Sequence, residues 1–381
     1  MTRSKIWLSS PHMGGGEQKY VQEAFDTNWV APLGPNVNGF EQDLENYIKE
    51  DVKVACLSSG TSAIHLALIL SGVELNDDVI CQSMTFSASA NPITYQGATP
   101  IFVDSETDTW NMCPIALEEA IKDSISKNKK PKAIIVVHLY GMPAKMDEIV
   151  AISKKYEIPL IEDAAEALGS TYKGKNCGTF GDFGILSFNG NKIITTSGGG
   201  ALVCKTEVSK NKAIFLATQA RDNAPHYQHS EIGYNYRMSN IVAGIGRGQM
   251  EVLSKHIGLR RTMNQFYQEI FKDIDGVKVF TEPSANFYSN HWLSCIIVEE
   301  EIAGFSREDL RLSFEKDNIE ARPLWKPMHL QPIFKDCDYY GTDVSEKLFN
   351  NGLCLPSGSN LTVDDRNRIK ESLYKLLKKN Q

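Results

Sequence analysis

Residues 187–200 read SFNGNKIITTSGGG, and the chain is read outward from Lys192 in their middle. Lys192 lies between Asn191 and the β-branched run Ile193, Ile194, Thr195 and Thr196, with Phe188 before it and Gly198, Gly199 and Gly200 after it. Surface lysines usually sit among other charges on helix faces; this one sits among small polar residues. Glycines let backbone come close to a ligand. A lysine in a partly desolvated pocket can act as an amine nucleophile and form Schiff bases. A solvated or salt-bridged loop lysine is the plain alternative, and the stretch alone leaves both open.

Outward from this stretch, strands alternate with helices. Residues 52–57 read as a strand. Ser58, Ser59, Gly60 and Thr61 form a turn, with Thr61 able to cap the helix that runs to Leu70. Strands follow at 78–82, 100–103, 133–138 and 158–161, the last ending at Glu162 and Asp163. Helices fall at 86–95, 114–125 and 144–156, and two more strands, 183–188 and 200–204, flank the lysine. Continuous apolar strands separated by helices signal an α/β fold whose parallel sheet is covered on both faces. Ligands bind such sheets beyond the carboxyl ends of the strands. Upstream, residues 1–14 read as an irregular arm, 15–28 as a short helix, 30–36 as a Pro/Gly loop and 40–48 as a helix. Downstream, 238–271 is a long helical segment with a break expected at Gly258. It leads to a second domain with a strand at 292–298, helices at 307–316 and 362–378, and a Pro-rich loop at 322–334.

Composition narrows the function classes. The 381 residues are 42% apolar and 23% charged, as in ordinary globular proteins. A net charge of −7 argues against a general nucleic-acid binder. No apolar run is long enough to span a membrane, and MTRSKIWLSSPHMGGGEQ has no signal-peptide core. The 8 cysteines form no CxxC pair, which reads as reduced thiols in a cytoplasmic enzyme. His226 and His229 have HxxH spacing without a completing ligand, so no metal is expected.

Four further positions carry chemistry. Gly60 and Thr61 open an apolar helix whose free amides and dipole suit a phosphate, although a plain capped helix explains them too. Asp163 ends an apolar strand. Beside a pyridine nitrogen it would keep that nitrogen protonated, while as an N-cap of a helix starting at Ala164 it would be ordinary. The Ser187 hydroxyl suits a phosphate oxygen. Phe86 suits ring stacking, although an isolated Phe is more often core. Phosphate cradle, ring stacker, ring-nitrogen partner and amine together are what pyridoxal 5′-phosphate requires.

The stretches SSGTSAIHLAL, TFSASANPI, HLYG, IEDAAEALGS, SFNGNKIITTSGGG and EIGYNYRMSN resemble the DegT/DnrJ/EryC1/StrS family of sugar aminotransferases, of the aspartate-aminotransferase fold type, in consistent order over nearly the whole chain. The resemblance implies an arm at 1–14, a cofactor-binding large domain at 15–250 with a mixed, mostly parallel sheet, and a smaller α+β domain at 251–381. It implies that Lys192 bonds to the cofactor and shuttles a proton, that Asp163 pairs with the ring nitrogen and that Phe86 stacks on the ring. Gly60, Thr61 and Ser187 would hold the phosphate, joined by Asn235 from a partner subunit, which makes a homodimer part of the site. Glu166 departs from the Gln or His of many members beside the cofactor's 3-hydroxyl, and is expected to be protonated or turned aside. The stretches SSPHMGG, WVAPLG, TQARD, RPLWKPMH and CLPSG resemble the subgroup acting on nucleotide-linked 4-keto-6-deoxy sugars, particularly transaminases making UDP-4-amino-4,6-dideoxy-N-acetylglucosamine, with GDP-perosamine synthases as near neighbours. The implied reaction is ping-pong: L-glutamate leaves as 2-oxoglutarate, the cofactor cycles through pyridoxamine 5′-phosphate, and the ketosugar takes the amine at carbon 4. Arg221, Arg322, Lys326 and His329 are candidates for the sugar nucleotide's pyrophosphate, and Trp29, His226 and Tyr227 for the sugar pocket. Relatives with histidine in place of the lysine are dehydrases, and a sensor that binds without turnover is the non-enzymatic alternative; Lys192, Asp163 and Ser187 speak against both.

Overall fold

The computed structural model describes residues 4–377. Its first half alternates helix and strand: α1 (Glu17–Asp26), α2 (Pro35–Ile48), β1 (Lys53–Leu57), α3 (Gly60–Leu70), β2 (Asp78–Gln82), α4 (Ser87–Tyr95), β3 (Thr99–Val103), α5 (Pro114–Ser126), β4 (Ala133–Val137), α6 (Met146–Tyr156) and β5 (Leu160–Asp163). A small hairpin, β6 (Thr171–Tyr172) and β7 (Lys175–Asn176), precedes β8 (Phe183–Ser187), β9 (Gly200–Cys204), α7 (Glu207–Ala217), α8 (Asn240–Met250) and α9 (Leu253–Phe271). The remainder holds β10 (Val277–Val279), β11 (Phe287–Tyr288), β12 (Ser294–Val298), α10 (Glu300–Ala303), α11 (Arg307–Lys316), β13 (Arg322–Pro323), β14 (Tyr339–Tyr340), α12 (Val344–Asn351), β15 (Gly352–Leu355) and α13 (Val363–Leu377).

The large sheet has the order β1-β9-β8-β5-β4-β2-β3-β14. Pairings are parallel from β8 through β14, whereas β9 runs antiparallel to both of its neighbours. This is the mixed, mostly parallel sheet that the resemblance implies. Its strands bear apolar residues on both sides because helices cover both faces, leaving core side chains on either side. A second sheet, β10-β12-β15-β13, is antiparallel throughout and packs with α9, α11 and α13 around Tyr267, Phe314 and Leu373. The chain beyond residue 250 is not confined to it: β14 joins the edge of the large sheet beside β3, and Met328 and Phe334 pack into the large core.

Four local expectations are corrected. Ser59, not Thr61, caps α3; it is extended at φ −166 and ψ 162, and its side chain accepts from the Ser62 amide at 3.0 Å. Helix α2 starts at Pro35, inside the expected loop, because proline at the first helical position loses no hydrogen bond. The long helical segment breaks at 251–252, where Val252 leaves helical geometry at φ −113 and ψ 0; Gly258 stays inside α9 with open space beside it. No helix starts at Ala164, so Asp163 is not a helix cap.

Strand β5 places successive acids on opposite faces of the sheet. Glu162 is fully buried and accepts from the amides of Phe180 and Gly181 at 2.6 Å, from Gly178 at 2.8 Å and from His138 Nε2 at 2.9 Å. Burial alone would raise its pKa; the His138 bond and the amides hold it below the usual glutamate value. Its contribution is therefore present above that value and lost as pH falls through the depressed one. Glu162→Gln is expected to cost about 3–5 kcal/mol, as for a broken buried pair, measured by urea unfolding at neutral pH; a loss under 1 kcal/mol would mean that the carboxylate holds nothing.

Candidate active site

A cavity of about 760 Å³ opens at the carboxyl ends of the parallel strands. Ser58 to Thr61 follow β1, Thr85 and Phe86 follow β2, Val137 ends β4, Asp163 ends β5 and Ser187 ends β8. Gly199 lies just before β9, whose reversed direction brings its start to this edge. Trp292, Arg322 and Trp325 close the cavity from the second sheet's side, and Trp7 to Ser9 from the N-terminal segment.

The loop that carries Lys192 is anchored by its own β-branched run. Ile193 and Ile194 are buried in the core beneath the sheet, and the Thr195 amide donates to Gln249 Oε1 at 3.1 Å. The Asn191 carbonyl accepts from Ser9 Oγ at 2.6 Å and from Trp292 Nε1 at 2.7 Å. The side chain of Lys192 is only 11% exposed. Its Nζ lies 4.2 Å from the Trp292 ring centroid and 3.1 Å from Glu166 Oε1. The solvated form of the plain alternative is thereby excluded, while the salt-bridged form is present in the pair with Glu166.

Asp163 is buried at the same cavity. Its Oδ2 accepts from Ser89 Oγ at 2.6 Å and its Oδ1 from the Ala165 amide at 3.2 Å, so two donors fix the carboxylate. Glu166 is not turned aside. Its Oε2 accepts from the Tyr140 amide at 2.7 Å while Oε1 meets Lys192. Burial pushes its pKa up to about 7, against the pull of Lys192 and the Tyr140 amide.

The start of α3 is a cradle for an anion. The Ser62 amide is taken by Ser59 Oγ at 3.0 Å and the Ala63 amide by Ser59 O at 3.2 Å, leaving those of Gly60 and Thr61 at the positive end of the helix. Backbone packs on backbone here: a Cβ on Gly200 would lie 2.3 Å from the Gly60 nitrogen, and one on Gly60 would lie 3.2 Å from Ser187 Cβ. Phe86 is 56% exposed at the rim, tilted against Trp325 at 5.6 Å, which excludes core packing.

The structure thus gathers Gly60, Thr61, Phe86, Asp163, Glu166, Ser187, Lys192 and Arg322 around one cavity. Other expected residues lie elsewhere. His329 is a packing residue, bonded to Ser83 Oγ at 2.7 Å and Glu346 at 3.2 Å and stacked on Tyr339 at 3.8 Å. Lys326 is exposed and does not line the cavity. Trp29, Arg221, His226, Tyr227 and Asn235 do not line it either. Trp29 Nε1 donates to Leu33 O at 2.8 Å, Arg221 lies 4.2 Å over the Tyr227 ring, His226 meets Gln228 at 3.2 Å, and Asn235 is exposed in a bridge with Thr218. Sequence reading missed Ser89 and Trp292. Ser89 falls on the face of α4 towards β5, a weak signal; Trp292 carries none, being 100 residues from the lysine it covers.

A free helix N-terminus with a hydroxyl beside it, an amine and a fixed carboxylate fit a phosphorylated pyridine aldehyde. With the mixed sheet, they define a pyridoxal 5′-phosphate-dependent transferase of the aspartate-aminotransferase fold type. The family description "DegT/DnrJ/EryC1/StrS aminotransferase family" matches residues 11–374. The chain is 53% identical over 377 residues, 98% of it and 96% of the relative, to the putative pyridoxal phosphate-dependent aminotransferase EpsN of Bacillus subtilis (strain 168). It is 37% identical to the GDP-perosamine synthase of Escherichia coli O157:H7, covering 97% of both. The solved PLP form of the putative sugar aminotransferase Spr1654 from Streptococcus pneumoniae superposes with a TM-score of 0.88 over the whole of both chains at 26% identity. The chain belongs to the DegT/DnrJ/EryC1/StrS aminotransferase family and is a PLP-dependent enzyme.

The raised pKa of Glu166 has a measurable sign. The proton it holds stabilises the fold fully below about 4.5, and that contribution is lost as pH rises through about 7. Glu166→Gln cannot titrate. In cofactor-free protein, the parent's unfolding free energy is expected to fall relative to the variant's across that window, with a slope approaching one proton; parallel curves would show that Glu166 ionises normally.

Proposed function

We propose that this enzyme transfers the amino group of L-glutamate to carbon 4 of a nucleotide-linked 4-keto-6-deoxy sugar, with UDP-2-acetamido-4-keto-2,6-dideoxyhexose as the substrate and UDP-4-amino-4,6-dideoxy-N-acetylglucosamine as the product. The supporting observation is the largely buried Lys192 amine facing the same cavity as the fixed Asp163 carboxylate. The choice of sugar rests on the subgroup resemblance of SSPHMGG, WVAPLG, TQARD, RPLWKPMH and CLPSG. The work belongs to the cytoplasm, where sugar nucleotides are made.

Pyridoxal 5′-phosphate supplies a covalent handle for the amine and a ring that delocalises the electrons left when a proton is removed. The chain's residues do the rest. Gly60, Thr61 and Ser187 hold the phosphate. Asp163, oriented by two donors, would pair with the ring nitrogen. Lys192 would hold the cofactor through its Nζ and, when free, hold and move the proton at that atom. Trp292, whose ring centroid lies 4.2 Å from Nζ, keeps water from that amine. Arg322 lies at the cavity wall, its guanidinium held by Glu320 at 2.8 Å, and supports recognition of the pyrophosphate.

A homodimer completes this reading. Asn235 would reach the partner's phosphate site, in keeping with its exposed position. Phe25, Trp29, Leu33 and Ile232 are exposed apolar side chains on segments joined by the Pro32–Ser239 bridge, which suits burial between subunits. A GDP-linked 4-keto sugar is the second reading, favoured by the identity to GDP-perosamine synthases.

Purified enzyme with cofactor is expected to lose its visible band on addition of L-glutamate. Borohydride should fix the cofactor to the parent but not to Lys192→Ala, whose turnover should fall by about 10²–10⁴-fold or more. Mass spectrometry with UDP-, GDP- and dTDP-linked 4-keto sugars then selects the substrate. Amination of the GDP sugar alone selects the second reading, and cofactor binding without amination of any sugar selects a sensor.

A further inference from the structure

Arg260, on α9, is among the most buried side chains of the molecule, at 1% exposure. No ion pair neutralises it among the described residues; burial draws its pKa down to about 9, and it remains cationic at neutral pH. A buried cation without a counter-ion is costly, and with its Nε left without a partner the bonding falls to NH1 and NH2. Its NH1 donates to the Trp292 carbonyl at 2.5 Å. Its NH2 donates to Ser9 Oγ at 2.9 Å and stands 3.4 Å from the Lys192 carbonyl. These contacts close a ring, because Ser9 Oγ and Trp292 Nε1 both donate to the Asn191 carbonyl, at 2.6 and 2.7 Å. The guanidinium therefore grips both ends of the pair in which the Lys192 amine lies over the Trp292 ring.

We propose that Arg260 is a positioning residue for the aminotransferase reaction: its fork holds the Asn191–Lys192 peptide and the Trp292 backbone in fixed relation, so that the Lys192 amine is delivered to one place in the cavity. The planar, charged fork suits this task better than an ammonium, because it reaches two carbonyls and a hydroxyl from one rigid group. The inference rests on the aminotransferase reading, but it concerns the chain's own bonds and can be read without cofactor.

The test compares Arg260→Gln and Ser9→Ala with Leu373→Ala, which weakens the core around the second sheet and touches no member of the ring. In cofactor-free protein, the rate at which an acid anhydride acylates Lys192 relative to exposed Lys122 is mapped by mass spectrometry. In holoenzyme, the visible circular dichroism of the bound cofactor and the separate kcat and KM values are measured. Arg260→Gln is expected to raise Lys192 acylation several-fold, diminish the dichroism and lower kcat by ~10²-fold with KM for L-glutamate nearly unchanged, as for an amine misplaced by about 1 Å. Ser9→Ala should move all three the same way by less, and Leu373→Ala should lower only the melting temperature. If Arg260→Gln does not fold, Ser9→Ala decides alone. Variants that lose melting temperature but keep the parent's acylation ratio, dichroism and kcat overturn the proposal. A parent chain that takes up no cofactor brings down the functional reading and this inference with it, an outcome distinct from an indifferent Arg260.

Discussion

The site depends on a place where no side chain fits. The Ser59–Gly60 peptide and the first residue of β9 are in direct backbone contact, with Ser187 pressed against Gly60 from β8. Any larger residue at Gly200 would push β9 away from the α3 terminus and open the anion cradle. The reversed direction of β9 is part of the same arrangement. It returns the chain from the Lys192 loop to the sheet between β1 and β8, so that the helix start, the hydroxyl and the amine all meet at one edge.

Around that contact the charges divide the work. Glu162 and Asp163 are adjacent in sequence yet face opposite sides of β5. The first ties the sheet to the loop at 178–181, and the second faces the cavity. Burial raises the pKa of Glu166 although the Lys192 amine beside it pulls the other way. Arg260 stands behind them, bonded to carbonyls rather than to a carboxylate.

Much of the large sheet was legible because its strands are short, largely apolar and separated by helices, a pattern with few other solutions. Asp163, Ser187 and Gly60 were legible for the same reason: the ends of such strands are where sites form. Fine placement was less legible. Ser59 and Thr61 both carry a capping hydroxyl, and only the point at which β1 releases the chain chooses between them. The helix break at 251–252 has no Gly or Pro to announce it, whereas Gly258 looks like a breaker and is tolerated because it faces open space. Resemblance brought Arg322 and His329 forward together, but one faces the cavity and the other is locked against Ser83 and Tyr339. Trp292, Arg260 and Ser9 reach Lys192 only through tertiary contacts that no local pattern encodes.

Of the five tryptophans in the chain, three, at positions 7, 292 and 325, line the cavity. Three of the molecule's five indole emitters therefore stand around the cavity of the reacting amine. A bound chromophore that absorbs where indole emits would drain that light by energy transfer, and a colourless occupant would shift its wavelength by displacing water. The enzyme carries its own optical gauge of occupancy, usable without a dye, a label or a coupled assay.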